Sequence, residues 1–201
     1  MKNNKKIKHL PFPEYFWTVV TIAMVGLGDA IYLAISHYRV YVDMGYKSFC
    51  AVSKSINCDT VSQSPFSIFF DVPVPIWGVL GYALFLILLY PIRRGPSHRV
   101  RLWPTLFVIA LGFSAYSVIL ALISLVYIHS YCIMCIASYA VNLMLLFYTW
   151  LIHKRFANIS MPFGILIDIK WLVIKRRKAL IFFLCISAGM AISLTLWTPH
   201  Y

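Results

Sequence analysis

Two pairs of cysteines are the residues of this chain whose spacing points to chemistry. Cys132 and Cys135 are separated by two residues, and Cys50 and Cys58 are separated by seven. Cysteines spaced i, i+3 lie close together on one helical turn, near enough to form a disulfide reversibly or to share a metal ion. The position of both pairs relative to a membrane decides between these uses, because disulfides persist mainly in oxidising compartments.

Long apolar runs surround the cysteines and predict a membrane protein. Of the 201 residues, 61% are apolar and 12% are charged, whereas a soluble domain carries about 25% charged residues. Five apolar runs predict transmembrane helices, since about 20 residues cross the hydrocarbon core. They cover residues 16–36, 74–90, 102–127, 131–152 and 179–197. We therefore expect an all-α membrane protein with a single membrane domain over residues 1–201.

The basic residues between the runs predict the orientation. Four lysines precede the first run, four arginines follow the second and seven Lys or Arg residues follow the fourth, whereas the other loops hold only three. By the positive-inside rule, these 15 residues mark the cytoplasmic side. The N-terminus is then cytoplasmic, while loop 37–73, the Cys132/Cys135 turn and the C-terminus are extracytoplasmic. The first run lacks a small-residue cleavage site and is expected to remain as an anchor.

The same distribution explains the net charge of +12. The basic residues cluster between the apolar runs and do not follow one helix face with interleaved aromatic residues. A nucleic-acid partner is therefore not predicted. We expect membrane lipid as the surroundings of this chain.

Both cysteine pairs thus lie on the oxidising side, where three interpretations are open. A structural disulfide is the simplest of them. Redox exchange is favoured by the easily opened ring of a Cys-x-x-Cys disulfide and by the helix N-terminus, which lowers the pKa of a thiol. Two cysteine pairs also supply enough thiolates for a zinc ion, although the separation of Cys50 and Cys58 is wide for such a site.

The order and spacing of these residues resemble the vitamin K epoxide reductase family. The matching pattern is Cys50-x7-Cys58-Asp59-x-Val61-x-x-Ser64, then Pro75-x-x-Gly78, then Cys132-x-x-Cys135-x-x-x-Tyr139. The resemblance implies a four-helix transmembrane bundle around a quinone, with a fifth transmembrane helix. A cysteine-containing extracytoplasmic loop and a half-helix, residues 65–70, would cap the bundle. Family members often carry a fused thioredoxin-like domain. Because this chain stops at Tyr201, we expect a separate periplasmic thioredoxin-like partner.

The resemblance also implies a role for each cysteine. Cys50 and Cys58 form a shuttle pair, and Cys50 exchanges disulfides with the partner. Cys58 passes electrons to Cys132 through a transient disulfide, and Cys135 faces the quinone and reduces it. The implied function is a thiol–quinone oxidoreductase of a bacterial inner membrane, which generates disulfides and uses ubiquinone or menaquinone as electron acceptor.

Four further residues are candidates for the quinone site. The resemblance places Ser64 in the cap and Tyr139 on the pocket wall, although a turn serine and an interfacial tyrosine are the ordinary explanations. Trp77 lies at the depth of the quinone but also fits bundle packing. Asp29, inside the first span, either relays protons or hydrogen-bonds to a neighbouring helix, because intramembrane acids usually face the bundle interior.

Two alternative functions stay open. Animal enzymes of the family that reduce vitamin K epoxide carry an asparagine where this chain has Val74, so quinone reduction is favoured over epoxide reduction. The other alternative is a non-catalytic membrane protein with structural or zinc-binding cysteines. His37 and His129 are expected at the outer interface, and Cys185, alone in the last run, is expected to have no redox role.

Overall fold

The structure is a computed structural model that describes residues 11–43, 45–53, 55–93 and 102–156, together with the single residues 164, 170, 181 and 189. The expected fifth span, residues 179–197, lies outside the described residues apart from two single positions. It therefore stays a prediction.

The described chain is mainly helical. The helices in chain order are α1 (Phe12–Val42), α2 (Cys58–Ser62), α3 (Val74–Arg93), α4 (Trp103–Ile123) and α5 (Ile133–Phe156). One π-helical turn, Ser124–Ile128, prolongs α4. The helices α1, α3, α4 and α5 are long and apolar enough to cross a membrane. This confirms the prediction of a four-helix transmembrane fold in this part of the chain.

Prolines mark the starts of three of these helices. Pro11 occupies the N-cap of α1, Pro75 lies in the first turn of α3 and Pro104 in the first turn of α4. A proline is tolerated there because the first turn leaves its backbone N–H groups without helical acceptors. The end of α1 was predicted at residue 36, but the helix continues to Val42. Hydropathy marks the membrane boundary, whereas the backbone hydrogen bonds of a helix continue beyond it.

The four long helices pack unevenly. α1 packs along α3 and α5, and α4 packs along α5, while α3 and α4 contact each other little. Glycines allow the closest approaches, as is usual where membrane helices meet. A Cβ atom at Gly26 would lie 2.5 Å from the ring of Tyr82, and one at Gly81 would lie 2.7 Å from the ring of Phe113. Helices α3 and α4, which share few contacts, thus approach each other closely at Gly81 and Phe113.

One end of the bundle is closed by aromatic side chains. Phe12 packs edge-on against Trp103 and Phe156, at ring-centroid distances of 6.1 and 5.4 Å. Arg155 donates a hydrogen bond of 2.6 Å to the hydroxyl of Tyr15. These contacts join the start of α1 to the start of α4 and the end of α5.

The opposite end, which we call the cysteine end, carries the described residues 43, 45–53, 55–73 and 129–132. Backbone hydrogen bonds join its two segments, from Asn57 N to Tyr131 O (3.0 Å) and from Tyr131 N to Ser55 O (2.8 Å). The side chain of Asn57 caps α2 by accepting from the amides of Asp59 and Thr60. The loop is thus pinned beside the start of α5.

The expected half-helix over residues 65–70 forms only in part. Pro65–Ser67 is a single 3-10 turn, and a two-stranded antiparallel hairpin follows, with β1 at Ile68–Phe69 and β2 at Val72–Pro73. Phe70 and Asp71 form its turn, both with positive φ angles, of 52° and 56°. Such a two-residue turn suits the twist of a hairpin. The described chain is therefore helical except for this small hairpin and its connecting loops.

Candidate thiol and ligand site

Three of the four predicted cysteines form one buried cluster at the cysteine end. Cys50 and Cys58 are joined by a disulfide, and Cys132 and Cys135 are free thiols. Cys50, Cys58 and Cys132 are 1%, 2% and 3% exposed and pack together, with Cys135 and Met134 against them. Cys58 and Cys132 are 74 residues apart in the sequence. The backbone hydrogen bonds between the loop and the residues just before α5 bring the two pairs together.

Cys132 lies in the connection before α5, outside the spanning helices, with its sulfur at the helix N-terminus. The backbone N–H of Cys135 donates to that sulfur at 3.1 Å. Hydrogen bonding by the Cys135 thiol is the main cause that lowers the pKa of Cys132 below its ordinary value, and the amides of Cys135 and Met134 add to this, while burial opposes it. The arrangement stabilises a thiolate at Cys132, the form that takes part in disulfide exchange.

A cavity of about 260 Å³ lies beneath this cluster, between the four long helices. That volume is near the lower limit of roughly 300 Å³ for small-molecule pockets. Most of its wall is apolar or aromatic, and Cys135 forms part of it. The Cys135 thiol therefore faces a partly open, largely apolar space that is suited to an apolar ligand.

Comparison with known protein families identifies the family of this chain. The model of the vitamin K epoxide reductase family matches residues 17–150. The chain belongs to this family. No match was found among curated proteins. Membership makes the protein a membrane oxidoreductase of a family associated with quinone or vitamin K redox chemistry.

The three candidate pocket residues all line the cavity of this family member: Ser64 and Tyr139, which the resemblance implies, and Trp77, which its depth in the span suggests. The hydroxyl of Ser64 donates to the carbonyl of Val61 at 2.7 Å. The indole N–H of Trp77 donates to the carbonyl of Phe69 at 3.0 Å, so Trp77 ties the hairpin to α3. Tyr139 lies one helical turn beyond Cys135 on α5. The structure brings these residues to the same cavity, and their roles remain proposals.

Asp29 lies beside the cavity and not on its wall. Its carboxylate is 8% exposed and accepts a hydrogen bond from the hydroxyl of Ser138, which does line the cavity. Its second oxygen is buried and has no partner among the described residues. The pair joins α1 to α5 one turn beyond Cys135. Both expected roles, a proton relay and a link between helices, are compatible with this position.

His37 departs from the expectation of an ordinary interfacial histidine. It is 5% exposed, packs against the ring of Tyr41 and lines the cavity. The prolongation of α1 to Val42 carries it inward over the pocket. His129 is exposed and has a positive φ of 53° after the π-helical turn, at the cysteine end as expected.

Sequence reasoning missed a polar group on the deep wall of the cavity. Tyr82, Ser117 and Asn142 come from three different helices, line the cavity and are hydrogen-bonded to one another. Each is a neutral polar residue in an apolar run and belongs to no motif. The seven-residue interval from Cys135 to Asn142, two turns on the same helix face, was the one available signal.

The zinc alternative finds no preformed site in the described part of the chain. No group of three or more His, Cys, Asp or Glu side chains lies close enough there to hold a metal ion. Two of the four candidate sulfurs are joined to each other. In this arrangement the cysteine end does not present four thiolates.

Proposed function

We propose that the protein is a thiol–quinone oxidoreductase of a bacterial inner membrane. It oxidises a separate periplasmic thioredoxin-like protein and reduces a quinone, ubiquinone or menaquinone. The partner dithiol loses two electrons and two protons and becomes a disulfide, while the quinone takes up both and becomes a quinol. The single observation that carries this proposal is the contact of the buried sulfur cluster with a thiol, Cys135, that faces an apolar cavity.

The first half of the relay takes place at the shuttle pair. A partner thiolate attacks the sulfur of Cys50, which breaks the Cys50–Cys58 bond and leaves Cys58 as a thiolate. The second partner thiolate then displaces Cys50 and releases the oxidised partner. Cys58 attacks Cys132 in a Cys132–Cys135 disulfide, and Cys135 leaves as a thiolate.

The second half returns the shuttle pair to its disulfide. Cys50 attacks the sulfur of Cys58, so the Cys50–Cys58 bond forms again and Cys132 is released. The dithiol at Cys132 and Cys135 now holds the two electrons. The structure, with Cys50 joined to Cys58 and the other two thiols free, matches this point of the cycle. The hydrogen bond from the Cys135 amide to the Cys132 sulfur supports a thiolate there.

The cavity fits the head group of a quinone, which supplies a two-electron, two-proton acceptor when bound. Trp77 and Tyr139 offer aromatic surface for a flat ring, and Cys135 lines the same cavity. Ser64 belongs to the turn that covers the cavity at the cysteine end. These residues bind and orient the ring and keep water away from the thiol.

Asp29 is proposed as the group that holds and passes protons. The hydroxyl of Ser138 donates a hydrogen bond to the Asp29 carboxylate, and Ser138 also lines the cavity. A proton would therefore pass through one hydroxyl group between Asp29 and a ligand in the cavity. Acids inside membrane spans are rare, and proton relays are among the functional sites that they mark. The protons released as Cys132 and Cys135 form a disulfide would pass through it.

The proposed topology has the N-terminus in the cytoplasm and both cysteine pairs in the periplasm, with the predicted fifth span bringing the C-terminus there. Its support is the excess of basic residues in the predicted cytoplasmic segments. The cysteine end carries the disulfide and the exposed loop that a periplasmic partner would meet.

The test uses the purified full chain in lipid nanodiscs with a reduced thioredoxin-like protein and a short-chain ubiquinone. We expect partner oxidation to stop in Cys132→Ser and Cys135→Ser and to continue in Cys185→Ser, the matched cysteine control. In Cys135→Ser, the Cys132 thiolate can attack Cys58 in the Cys50–Cys58 disulfide, with Cys50 as the leaving thiolate. A disulfide between Cys58 and Cys132 should therefore accumulate and be seen on non-reducing gels after proteolysis. Oxidation at the normal rate without Cys132 or Cys135 would disprove the proposal.

Reduction of vitamin K or its epoxide, as in animal enzymes, is the second candidate, because the family takes its name from that reaction. Val74, at the position of the animal asparagine, lines the cavity and offers no hydrogen bond to an epoxide. We expect dithiothreitol to drive reduction of a quinone but not of the epoxide. Epoxide turnover at a comparable rate would make this second function the correct one.

A further inference from the structure

The deep wall of the cavity carries a chain of hydrogen bonds that has no part in the proposed relay. The hydroxyl of Tyr82 donates to Oδ1 of Asn142 at 2.7 Å, and Nδ2 of Asn142 donates to Oγ of Ser117 at 2.8 Å. The three side chains come from α3, α5 and α4. Asn142 lies seven residues beyond Cys135, about 10 Å along the helix axis, so a ring fits between the thiol and this chain.

The donor-to-acceptor direction of these hydrogen bonds decides which hydrogen faces the cavity. A hydroxyl group has one hydrogen to donate and accepts through its oxygen. Tyr82 gives its hydrogen to Asn142, whereas Ser117 accepts from Asn142 and keeps its own. Within the described part of the chain, the Ser117 hydroxyl donates to no protein oxygen.

Four other serines of the cavity wall, Ser64, Ser67, Ser124 and Ser138, each donate to a protein oxygen. The remaining one, Ser62, is only half-buried, whereas Ser117 is 5% exposed. Ser117 is thus a hydroxyl donor on an apolar wall with its oxygen held in place and its hydrogen unused. An unused donor in an apolar site favours a ligand that brings an acceptor to it.

We propose that Ser117 donates a hydrogen bond to the quinone carbonyl oxygen remote from Cys135, and that Asn142 is a positioning residue that holds the Ser117 hydroxyl. This inference rests on the proposed quinone site. A quinone has carbonyl oxygens on opposite edges of its ring. With one edge beside Cys135, the other edge reaches the deep wall, where Ser117 fixes the orientation of the ring.

The experiment measures quinone binding directly, by quenching of tryptophan fluorescence, with the full chain in nanodiscs and a short-chain ubiquinone as the probe. Ser117→Ala should raise the Kd of the quinone about 3- to 10-fold, the range for one neutral hydrogen bond. Ser117→Thr keeps the hydroxyl and should bind within about twofold of the original chain. In turnover, Ser117→Ala should raise the KM for quinone and leave the KM for the thiol partner unchanged.

Ser114→Ala is the matched control. Ser114 lies on the same helix, is buried and donates to the backbone carbonyl of Asn142 at 3.1 Å, but does not line the cavity. Its loss should leave the Kd of the quinone unchanged. An equal loss of affinity in Ser114→Ala and Ser117→Ala would show a packing effect and overturn the inference.

Asn142→Leu and Tyr82→Phe test the donor-to-acceptor direction of these hydrogen bonds. Asn142→Leu should weaken quinone binding, and combining it with Ser117→Ala should add little, because both act on one hydrogen bond. Tyr82→Phe should cost less than Ser117→Ala, and a larger cost would reverse the direction and overturn the inference. If the original chain binds no quinone, the proposed function fails, whereas normal binding by Ser117→Ala overturns this inference alone.

Discussion

At the scale of single residues, the chemistry depends on how each polar group inside the bundle is held. Asp29 is a carboxylate among apolar residues, and within the described part of the chain its hydrogen bond comes from Ser138. Burying an ionised carboxylate is costly unless it is paired. The position of this carboxylate next to the cavity therefore agrees with a role in moving protons to the ligand.

Asp29→Asn should separate the two roles of this residue. Asparagine keeps the size and a hydrogen bond to Ser138, so the fold should persist, but it cannot take up and release a proton. If Asp29 relays protons, kcat for quinone reduction should fall about 100-fold, the lower range for general acid–base catalysis. Asp43→Asn, at an exposed carboxylate, is the control. An unchanged kcat in Asp29→Asn would leave only the structural role.

The thiolate at Cys132 gives a prediction about pH. Because hydrogen bonding by Cys135 is the main cause that lowers the pKa of Cys132, removing that donor should raise this pKa, and the thiolate should then appear only at higher pH. We expect a higher titration midpoint in Cys135→Ala than in Cys135→Ser, which keeps a hydroxyl donor.

The measurement is the ultraviolet absorbance of the thiolate as a function of pH. The same variant with Cys132→Ala added is subtracted, so the remaining signal belongs to Cys132. Equal midpoints in the two Cys135 variants would mean that the backbone amides alone set the pKa of Cys132.

At the scale of helices and loops, the close approach of α3 to α4 depends on a missing side chain. A Cβ atom at Gly81 would lie 2.7 Å from the ring of Phe113, whereas one at Gly112 would meet no atom within 4 Å. Gly81→Ala should therefore cost about 1–3 kcal/mol of stability, and Gly112→Ala should cost nothing. Thermal unfolding in detergent measures both, and equal midpoints would contradict the close packing.

The helix cap at Asn57 lies next to Cys58, one half of the Cys50–Cys58 disulfide. Its side chain accepts from the amides of Asp59 and Thr60 at 2.9 and 3.2 Å, which fixes the turn that carries Cys58. Asn57→Ala should cost about 1 kcal/mol and speed reduction of the disulfide by dithiothreitol about fivefold. Asn57→Asp keeps the acceptor and is the control. Alkylation followed by intact-mass analysis gives the rates.

The sequence predicted the helices better than it predicted their contacts. Apolar runs and prolines such as Pro75 and Pro104 locate membrane spans. The length of an apolar run and the missing N–H of a proline can be read directly from the sequence, because neither depends on how the helices pack. The hairpin after residue 67 was not predicted, since its turn places Phe70 at a positive φ, which aromatic residues rarely adopt.

The site was predictable to the extent that it follows from spacing and resemblance. The four cysteines and Tyr139 belong to such a pattern, and the structure brings them to one end of the bundle. The partners of Asp29 and Asn142 were not predictable, because Ser138 and Ser117 become neighbours only through helix packing. A neutral polar residue in an apolar run carries no sign of what it faces.

At the scale of the whole molecule, the two ends of the bundle differ in character. One end is closed by Phe12, Trp103 and Phe156, and the other holds the disulfide and the cavity. Electrons enter and leave the proposed reaction at the cysteine end.

Topology is tested with a matched pair of introduced cysteines. Ser53 and Lys154 are both exposed and lie at opposite ends of the bundle. With a membrane-impermeant maleimide on spheroplasts, Ser53→Cys should be labelled, and Lys154→Cys should be labelled only after lysis. The reverse pattern would invert the orientation predicted from the basic residues.

The burial of Cys50 and Cys58 also limits the maximal rate of disulfide exchange. Neither sulfur can be attacked in line while the loop is closed over it, so exchange has to wait for a local opening of the loop. At high thiol concentration the rate should level off at the opening rate, which is a property of this chain alone. A small reductant and a whole protein partner, however different in reactivity, would then reach the same maximum.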